Sequence, residues 1–454
     1  MNKWQCVVVL ACGLICTGCD DNTTIVRADE AQLDVDLAAA LADAGTTGVS
    51  TPQAESPALV ELGRMLFFDK ELSGNRNISC ATCHHPAAGT GDMLPVPIGE
   101  GGSGLAENRA VDGGRLIPRN APHVFNAGVA GVHTMFWDSR LRIDPLSGIL
   151  STPEAKLNGA TPELADIAAQ LISALAAQAM FPVTSGDEMR GEPGTNEIAD
   201  AADNEAVWEA LMARLGAIAE YRDLFAAAYP NVATWDDFNF GHAARAIAAF
   251  ERESWTALDT PFDRYLAGDA SALSESAKRG ALLFFGKAKC AECHSGPLLT
   301  DFEHHALAVP QVGPGKNAPF EDLGRALETG DAADNYKFRT PSLRNVALTG
   351  PWMHSGAYTS LEATVRHHLD CVNGLVGYDA SQLPTTFRDT VDADGGRNQA
   401  RLDALPDDMA APVALTEREF AQLMDFLYAL TDPRLLNLSG DVPDQVPSGL
   451  PVAD

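Results

Sequence analysis

The chain has 454 residues, of which 46% are hydrophobic, and this is enough for two or three domains with sizeable cores. Its 32 basic and 62 acidic residues give a formal net charge of −30, which argues against nucleic acid as a partner because phosphate binding needs clustered Lys and Arg. An acidic surface favours the approach of a basic protein, at a rate that falls as salt rises. The alternative is that the charge serves only solubility.

The N-terminus has the pattern of a bacterial export signal. Lys3 precedes an apolar run over 4–15, which is too short to remain as a transmembrane helix. Small residues before Cys19 resemble a lipoprotein cleavage box, although Cys16 stands where such boxes prefer Leu. We therefore predict a signal peptide over 1–18 and a periplasmic protein that contacts the membrane only through a lipid on Cys19.

Two CxxCH motifs carry the strongest chemical signal in the chain. They consist of Cys80, Cys83 and His84 in the first copy and of Cys290, Cys293 and His294 in the second. This pattern is typical of covalent haem c, in which the cysteines form thioethers and the histidine supplies one axial nitrogen. A zinc ribbon also uses two CxxC pairs, but the long interval between the copies is far outside its usual spacing. The sequence predicts two covalently bound haem c groups.

Helix signals recur along the chain, and no convincing alternating strand series accompanies them. A capping Ser or Thr followed by Pro opens helical stretches at Ser56 and Thr161, and the second stretch continues to Met180. Further helical patterns cover 204–228, 237–255, 274–285 and 361–369, and a capping box of Thr416 with Glu419 opens a last helix. We predict a mainly α fold with long loops around the haems.

Each CxxCH motif follows a helical stretch, which predicts two cytochrome c-like haem lobes in tandem. After the signal peptide, the predicted units are an acidic tether over 19–55, an N-terminal haem domain over 56–255, a linker over 256–272, a C-terminal haem domain over 273–432 and a tail over 433–454.

Several longer segments resemble the bacterial dihaem cytochrome c peroxidase and MauG superfamily. They include LGRMLFFDKELSGNRNISCATCHHP, RNAPHVFNAG, FWDSR, DLGRALETGD and FRTPSLRNVALTGPWMHSG, and the likeness runs from about residue 56 to 432. The resemblance implies that the N-terminal haem is peroxidatic and that the C-terminal haem transfers electrons.

The resemblance makes His84 the proximal ligand of the first haem. Family members that rest in a blocked state carry a second histidine just after a PV-x-IG stretch, where this chain has Glu100. A carboxylate is a poor haem ligand beside imidazole, so we expect the first iron to be open. His85 cannot easily reach the opposite face and is expected to be a loop histidine.

The family's distal motif, Q-x3-P-x5-E-M, matches Gln178, Pro182 and Glu188. It implies that Glu188 moves a proton between the peroxide oxygens, so that water leaves, while Gln178 positions it. The segment between FWDSR and Gln178 is longer than expected, and Glu154 within it is a weaker candidate for the same role. Trp137 of FWDSR resembles the tryptophan that relays holes between the two haems.

The resemblance makes His294 the proximal ligand of the second haem. The family's other ligand lies three residues beyond the valine of LEE-x-V, which is position 368, and it is Met in peroxidases and Tyr in MauG. His368 stands there, with His367 as the fallback. Met raises the reduction potential, whereas a nitrogen or phenolate donor favours ferric and higher states. His354 matches a family histidine near the haems.

The resemblance also implies a calcium ion between the lobes. Asn120 matches the asparagine that binds it, and Thr349 and Pro351 match its Thr-x-Pro segment. Cys371 is expected to be a buried thiol. The histidines that match no usable motif are His123, His133, His242, His304 and His305.

The first functional hypothesis is an exported enzyme that reacts with hydrogen peroxide and uses a high-valent dihaem state to oxidise Trp or Tyr side chains of a partner protein, as MauG and MbnH-type proteins do. The alternative is a cytochrome c peroxidase that takes electrons from a small cytochrome or copper protein. A second alternative is a dihaem electron carrier, which does not need the pair of Gln178 and Glu188. Glu100 and His368 favour the first hypothesis.

Overall fold

The computed structural model describes residues 21–452, with side chains from residue 31 onward. The predicted signal peptide and the lipidation site Cys19 lie outside the described residues. Within 21–452, no helix is both long and apolar enough to cross a membrane.

Helices dominate the first half of the described chain. They are α1 (Asp21–Asp43), α2 (Pro57–Phe68), α3 (Cys80–Cys83), α4 (Ala165–Ala168), α5 (Ala174–Gln178), α6 (Asn204–Ala217), α7 (Ala219–Ala228) and α8 (Phe240–Trp255).

The second half is also helical, with several short helices beside four longer ones. They are α9 (Pro261–Leu266), α10 (Glu275–Phe285), α11 (Ala326–Thr329), α12 (Leu361–Leu369), α13 (Cys371–Val376), α14 (Thr385–Arg388), α15 (Gly395–Asp403), α16 (Asp407–Ala410) and α17 (Glu417–Tyr428).

Each lobe contains a helix that precedes its CxxCH motif and packs closely on a second helix. Gly63 of α2 lies so near α8 that an added Cβ would be 1.9 Å from the carbonyl oxygen of Ala246. Gly280 of α10 approaches α17 in the same way, 1.8 Å from the carbonyl oxygen of Gln422. The repeated arrangement confirms the mainly α fold with two cytochrome c-like lobes.

The capping signals at Ser56 and Thr416 work as predicted, whereas the one at Thr161 does not, because α4 begins only at Ala165. The Ser56 hydroxyl accepts a hydrogen bond from the Leu59 amide at 3.2 Å, at the start of α2. Before α17, the Glu419 amide donates to the Thr416 hydroxyl and the Glu419 carboxylate accepts from the Thr416 amide. These caps satisfy amide groups that have no partner inside a helix.

Two predicted helices are each divided in the structure. The stretch from Thr161 to Met180 contains α4 and α5, because Ser173 is extended and its hydroxyl caps α5 by accepting from the Ala176 amide at 3.1 Å. The stretch 204–228 contains α6 and α7, because Ile218 is extended between them.

The described part of the predicted tether, 21–55, is not loose. Helix α1 packs on the second lobe, where Leu37 and Leu41 join the core and Asp34 pairs with Lys278 at 2.6 Å. Leucines at 33, 37 and 41 recur every fourth residue, which gives the acidic helix one apolar stripe. The prediction of a loose tether was wrong because it relied on the acidic composition and did not take the spacing of these leucines into account.

The predicted linker and tail also belong to packed lobes. Within 256–272, α9 places Phe262 in the second core. The segment after residue 432 returns to the first lobe, where Leu435 and Val446 join the core and Ser448 donates to the Asp69 carboxylate at 2.6 Å. The chain therefore starts its packing on the second lobe and ends it on the first.

Two small antiparallel sheets lie in the loops. Strands β1 (Thr134–Met135), β2 (Leu141–Ile143) and β3 (Leu150–Ser151) form the first, in that order, and β4 (His304–Ala306) pairs with β5 (Lys337–Arg339) in the second. Arg142 pairs with Thr134 on one side and with Ser151 on the other. The sequence did not predict these strands, which are two or three residues long.

Candidate active site

One cavity of about 770 Å³ extends from the first CxxCH motif to the second. All six residues of the two motifs lie in its wall. The wall also includes His368, the catalytic candidates Glu188, Gln178 and Trp137, and the calcium candidates Asn120, Thr349 and Pro351. Residues that are far apart in sequence therefore face one space.

Three histidines in the wall are oriented in the same way. The Nδ1 atom of His84 lies 3.2 Å from the Thr90 carbonyl oxygen, that of His294 lies 3.1 Å from the Leu299 carbonyl oxygen, and that of His368 lies 2.9 Å from the Thr364 carbonyl oxygen. A carbonyl only accepts, so Nδ1 carries the proton and leaves Nε2 as the metal-binding atom.

Burial keeps these imidazoles neutral, which is the form that binds a metal. It lowers the pKa of His84 and His368 below the ordinary value and lowers the pKa of His294 to about 4. The residues therefore fit a haem iron in both their orientation and their protonation.

His294 and His368 face each other with their ring centroids 6.4 Å apart. Two metal–nitrogen bonds of about 2 Å, with about 1 Å from each nitrogen to its ring centre, span about 6 Å. The spacing thus suits one iron between two imidazoles. His367 has no free nitrogen for this role, because its Nδ1 pairs with the Tyr358 hydroxyl and its Nε2 with the Leu307 carbonyl oxygen, both at 2.8 Å.

Glu188 lies in the cavity wall with a carboxyl suited to proton transfer. Burial raises its pKa, and Asp187 adds to this, while Arg140 and Lys316 oppose it. Gln178, the last residue of α5, lies in the same wall. The structure therefore places both members of the predicted distal pair on the cavity that also contains His84.

The turn that carries Glu188 is held by the segment around Glu100. This π-helical turn, Gly186–Arg190, accepts a hydrogen bond from the Glu100 amide at the Asp187 carbonyl oxygen, at 3.1 Å. Gly99 lies so close that an added Cβ would be 1.8 Å from the same oxygen. The segment around Glu100 therefore supports the turn that carries Glu188.

The Glu100 side chain is directed away from the cavity. Its carboxylate accepts hydrogen bonds from Asn75 at 2.7 Å and from Asn77 at 2.8 Å. Among the residues that the structure describes, Glu100 does not line the cavity. Glu154 is also engaged elsewhere, because its carboxylate accepts from the Lys156 amide at 3.1 Å and from Asn204 at 3.0 Å. These contacts argue against Glu154 as the residue that transfers protons to peroxide, and they leave Glu188 as the candidate.

Trp137 bridges the two halves of the chain. Its indole N–H donates to the Asn120 carbonyl oxygen at 2.9 Å, and its own carbonyl accepts from the Arg339 amide of β5 at 2.8 Å. A tryptophan fixed at both ends in the wall of a shared cavity suits electron transfer between the lobes.

The calcium candidates lie in the same wall, but their side chains already make contacts. The Asn120 amide nitrogen donates to the carbonyl oxygens of Leu94 and Pro95, at 2.9 and 3.2 Å, which leaves its oxygen as the ligand atom. Thr349 donates its hydroxyl to the Val346 carbonyl oxygen at 3.1 Å. Oxygen donors of this kind suit calcium.

His354 is buried against Phe338, with ring centroids 3.5 Å apart and nearly parallel planes. Burial lowers its pKa to about 3. His85 accepts a hydrogen bond from the Ala87 amide at 3.1 Å and caps the turn that follows. Cys371 is buried, as predicted.

Of the histidines without a motif, four make hydrogen bonds within the protein. His133 pairs with the Gly131 carbonyl oxygen, His242 with Asn239, His304 with Ser139 and His305 with Asp301.

The sequence interpretation missed a buried ionic cluster where the lobes meet. Asp138 pairs with Arg119 at 2.5 Å, with Lys316 at 2.9 Å and with Arg140 at 3.0 Å, and Arg119 also pairs with Asp322 at 2.6 Å. Burial alone would raise the pKa of Asp138. The three cations lower it by more than burial raises it, so the pKa of Asp138 lies far below the ordinary range. These residues lie in or beside the segments that resemble the family, and that position was the one feature of the sequence from which the cluster could have been predicted.

Two further wall residues were also missed. His123 Nδ1 and Glu251 Oε2 are buried without a hydrogen-bond partner in the described residues. Burial lowers the pKa of His123 to about 4 and raises the pKa of Glu251 to about 8. Both side chains are thus neutral near pH 7, which reduces the cost of burying them.

Fold and cavity together define a dihaem c-type oxidoreductase, and comparison with known proteins agrees. A family model described as di-haem cytochrome c peroxidase matches residues 57–271. The methylamine utilization protein MauG of Methylorubrum extorquens is 32% identical over 318 residues, which cover 69% of this chain and 69% of that protein. Cytochrome c551 peroxidase of Pseudomonas aeruginosa is 31% identical over 305 residues, which cover 67% and 70%.

A solved structure shows the same likeness along most of the chain. The crystal structure of a MauG-like protein associated with microbial copper homeostasis matches with a TM-score of 0.58 and 28% identity, over 87% of this chain and 95% of that one. The chain belongs to the dihaem cytochrome c peroxidase and MauG family. It is therefore a dihaem enzyme of the peroxidase type with two haem c groups, and the family implies hydrogen peroxide as substrate and a protein as partner.

Proposed function

We propose that this enzyme uses hydrogen peroxide to oxidise Trp or Tyr side chains of a periplasmic partner protein, as in the MauG branch of its family. The observation that carries the proposal is the facing pair of His294 and His368, with ring centroids 6.4 Å apart. When bound, the two haems supply the site for peroxide and the capacity to store its two oxidising equivalents. The remaining steps depend on residues of this chain.

His84 would hold the iron of the haem attached at Cys80 and Cys83, and His294 together with His368 would hold the iron of the haem attached at Cys290 and Cys293. An imidazole in place of a methionine sulfur lowers the reduction potential and stabilises the oxidised centre. The second centre is thereby suited to hold an oxidising equivalent, whereas a donor-fed peroxidase benefits from one that waits reduced.

Glu188 serves as the proton shuttle beside the first haem. In its ionised form the carboxylate takes the proton from the near oxygen of peroxide and returns it to the far oxygen, so that water leaves. Gln178 orients this carboxyl. The Glu100 carboxylate is bound to Asn75 and Asn77, which supports an open peroxide face above His84.

Trp137 carries the oxidising equivalent between the lobes. Its hydrogen bond to the Asn120 carbonyl oxygen holds the indole in place, and its backbone contact with Arg339 ties that position to the second lobe. A calcium ion bound by the Asn120 side chain and by oxygens of the segment from Thr349 to Pro351 would stiffen the same junction.

Export follows from the signal pattern over 1–18, and a lipid on Cys19 would hold the enzyme at a membrane surface. The net charge of −30 supports a basic protein as the partner. The same charge would equally suit a basic cytochrome as an electron donor, and so the partner's role must be tested through the haem site.

The test is a peroxide titration of the fully ferric protein without reductant, followed by optical spectroscopy. We expect a prompt, stoichiometric change in the absorption of both haems, because the first site is open and the equivalents are shared. If reaction begins only after the second haem has been reduced, the proposal fails. The enzyme would then be a reductively gated cytochrome c peroxidase.

A further inference from the structure

Tyr428 stands at the end of α17 with a combination of contacts that the proposed function does not use. Its side chain is 45% exposed. Its hydroxyl donates a hydrogen bond to the carboxylate of Glu362, in the first turn of α12. A phenol that is open to solvent and bonded to an exposed carboxylate has the chemistry of a proton-coupled electron donor.

The residues next to the pair in sequence line the second haem site. Leu427, just before Tyr428, and Leu361, just before Glu362, both line the cavity. Val365 and His368 line it from the same helix, at intervals that place them on one face with Leu361. Helix α12 therefore connects the carboxylate at its start with the iron ligand near its end.

The protonation states at rest suit this chemistry. The bond from Tyr428 lowers the pKa of Glu362, and the same bond raises the pKa of Tyr428 to about 12. At neutral pH the phenol thus keeps its proton while the carboxylate is charged and can accept one. Loss of an electron makes a phenol strongly acidic, so that its proton moves to this acceptor as the electron leaves.

Three other described tyrosines with carboxylate partners differ in ways that disfavour oxidation at the surface. Tyr221, which donates to Asp69, is fully buried. Tyr265 donates to Asp34 at 3.0 Å, but the Lys278 ammonium lies 5.5 Å from its ring centre. Tyr336 donates to Glu321 at 3.1 Å, but it is 8% exposed and the Arg401 guanidinium lies 5.8 Å from its ring centre. A cation over the ring attracts its electrons and makes their removal harder.

We propose that Tyr428 is the surface outlet through which the second haem lobe withdraws electrons from the partner protein. The inference rests on the proposed function, whose oxidant is hydrogen peroxide. In each step Tyr428 would give one electron to the haem that His294 and His368 would hold, and its phenolic proton would pass to Glu362 and then to water.

The neutral tyrosyl radical then takes one electron and one proton from an aromatic side chain of the partner, which restores the phenol. Two such steps return the two electrons that one hydrogen peroxide removes when it is reduced to two waters. Asp425, three residues before Tyr428, and Glu362 make the rim of this outlet acidic. A basic surface around the oxidised residue of the partner would complement it.

The experiment uses the full-length holoenzyme with peroxide, a nitroso spin trap and no partner protein, followed by peptide mass spectrometry and electron paramagnetic resonance. The variants are Tyr428→Phe, Glu362→Gln and the matched control Tyr265→Phe. Optical changes of the haems on peroxide addition are recorded in every sample. The haem spectrum of each variant before peroxide shows that both lobes have folded.

We expect trap adducts on Tyr428 in the wild type and in the control, their loss in Tyr428→Phe, and a reduced yield in Glu362→Gln, which keeps a hydrogen-bond acceptor but cannot take the proton. If the haems respond to peroxide but adducts form elsewhere and persist unchanged in Tyr428→Phe, the outlet is wrong while the proposed function stands. If the ferric haems do not respond to peroxide, the proposed function itself fails and this inference with it.

Discussion

Glu188 is the residue whose ionisation should control the first chemical step. Burial raises its pKa, and the step needs the ionised form to take the first proton from peroxide. The rate constant for the reaction with peroxide should therefore rise as pH increases through this raised pKa and level off above it. Stopped-flow spectroscopy of the first haem over a range of pH would measure the profile.

The Glu188→Gln variant should react with peroxide about 10² to 10⁴ times more slowly and lose this pH dependence, because the amide cannot shuttle a proton. Glu154→Gln is the matched control and should retain both the rate and the profile, since Glu154 contacts Lys156 and Asn204 instead. An unchanged profile in Glu188→Gln would assign the titration to a different group.

His368 and its neighbour His367 allow a direct test of iron ligation. We expect His368→Ala to abolish the low-spin electron paramagnetic resonance signal of the second haem, because one axial nitrogen is removed. His368→Met should instead keep two axial ligands and raise the midpoint potential. His367→Gln should retain the signal, since both nitrogens of His367 are already bonded to Tyr358 and Leu307. Loss of the signal only in the His367 variant would reverse the assignment.

At the scale of elements, the loop at Gly99 and the turn Gly186–Arg190 form one unit. A methyl group on residue 99 would collide with the Asp187 carbonyl oxygen at 1.8 Å, so the Gly99→Ala substitution must displace the turn that carries Glu188. We expect slower reaction with peroxide while both haems remain attached and the axial signal of His368 is unchanged.

Gly113→Ala is a comparison rather than a silent change, because Gly113 has a positive φ but no atom within 4 Å of an added Cβ. It introduces backbone strain in a nearby loop without pushing on the turn that carries Glu188. Equal losses of peroxide reactivity in the two variants would show that the collision at residue 99 is not the cause.

The elements that could be predicted from the sequence depend on neighbours in the chain. The caps at Ser56 and at Thr416 with Glu419, and the two CxxCH motifs, are local patterns with a direct physical reading. The divided helix after Thr161 depends on the extended Ser173, and the short strands depend on pairing, as between Ala306 and Lys337. Neither the extended backbone of a single serine nor the pairing of distant strands is encoded in a helical or alternating pattern.

The residues of the candidate site, like the helices, could be predicted only in part from the sequence. Gln178, Glu188 and Trp137 came from a resemblance to known motifs, and the structure places them in one cavity. The support of Glu188 by Gly99 could not be predicted, because it depends on two loops that approach within van der Waals contact. The family spacing already favoured His368 over His367, and the hydrogen bonds of both His367 nitrogens are the additional reason that only the geometry supplies.

At the scale of the molecule, the ionic cluster around Asp138 joins the two lobes. Removing Arg119 would leave buried carboxylates at Asp138 and Asp322 without their main partner, which costs about 3–5 kcal/mol when a buried pair is broken. We expect Arg119→Leu to lower the guanidinium midpoint of unfolding, as followed by tryptophan fluorescence.

Arg279→Ala is the control for this loss of charge. Its pair with Glu275 is exposed on one helix, and such pairs contribute about 0.3–0.5 kcal/mol, so the midpoint should hardly move. Comparable shifts in the two variants would mean that the cluster around Asp138 does not stabilise the junction.

The crossed ends of the chain have a consequence for how the enzyme is made. Helix α1 precedes both lobes in the sequence but packs on residues of the second lobe, and Val446 and Ser448, which follow the second lobe, complete the first. Neither lobe can reach its final packing while the other is still unmade. The haem-attachment apparatus therefore meets the first CxxCH motif in a lobe that is still incomplete, and a gene cut between the lobes would yield two fragments that each lack a piece of their own core.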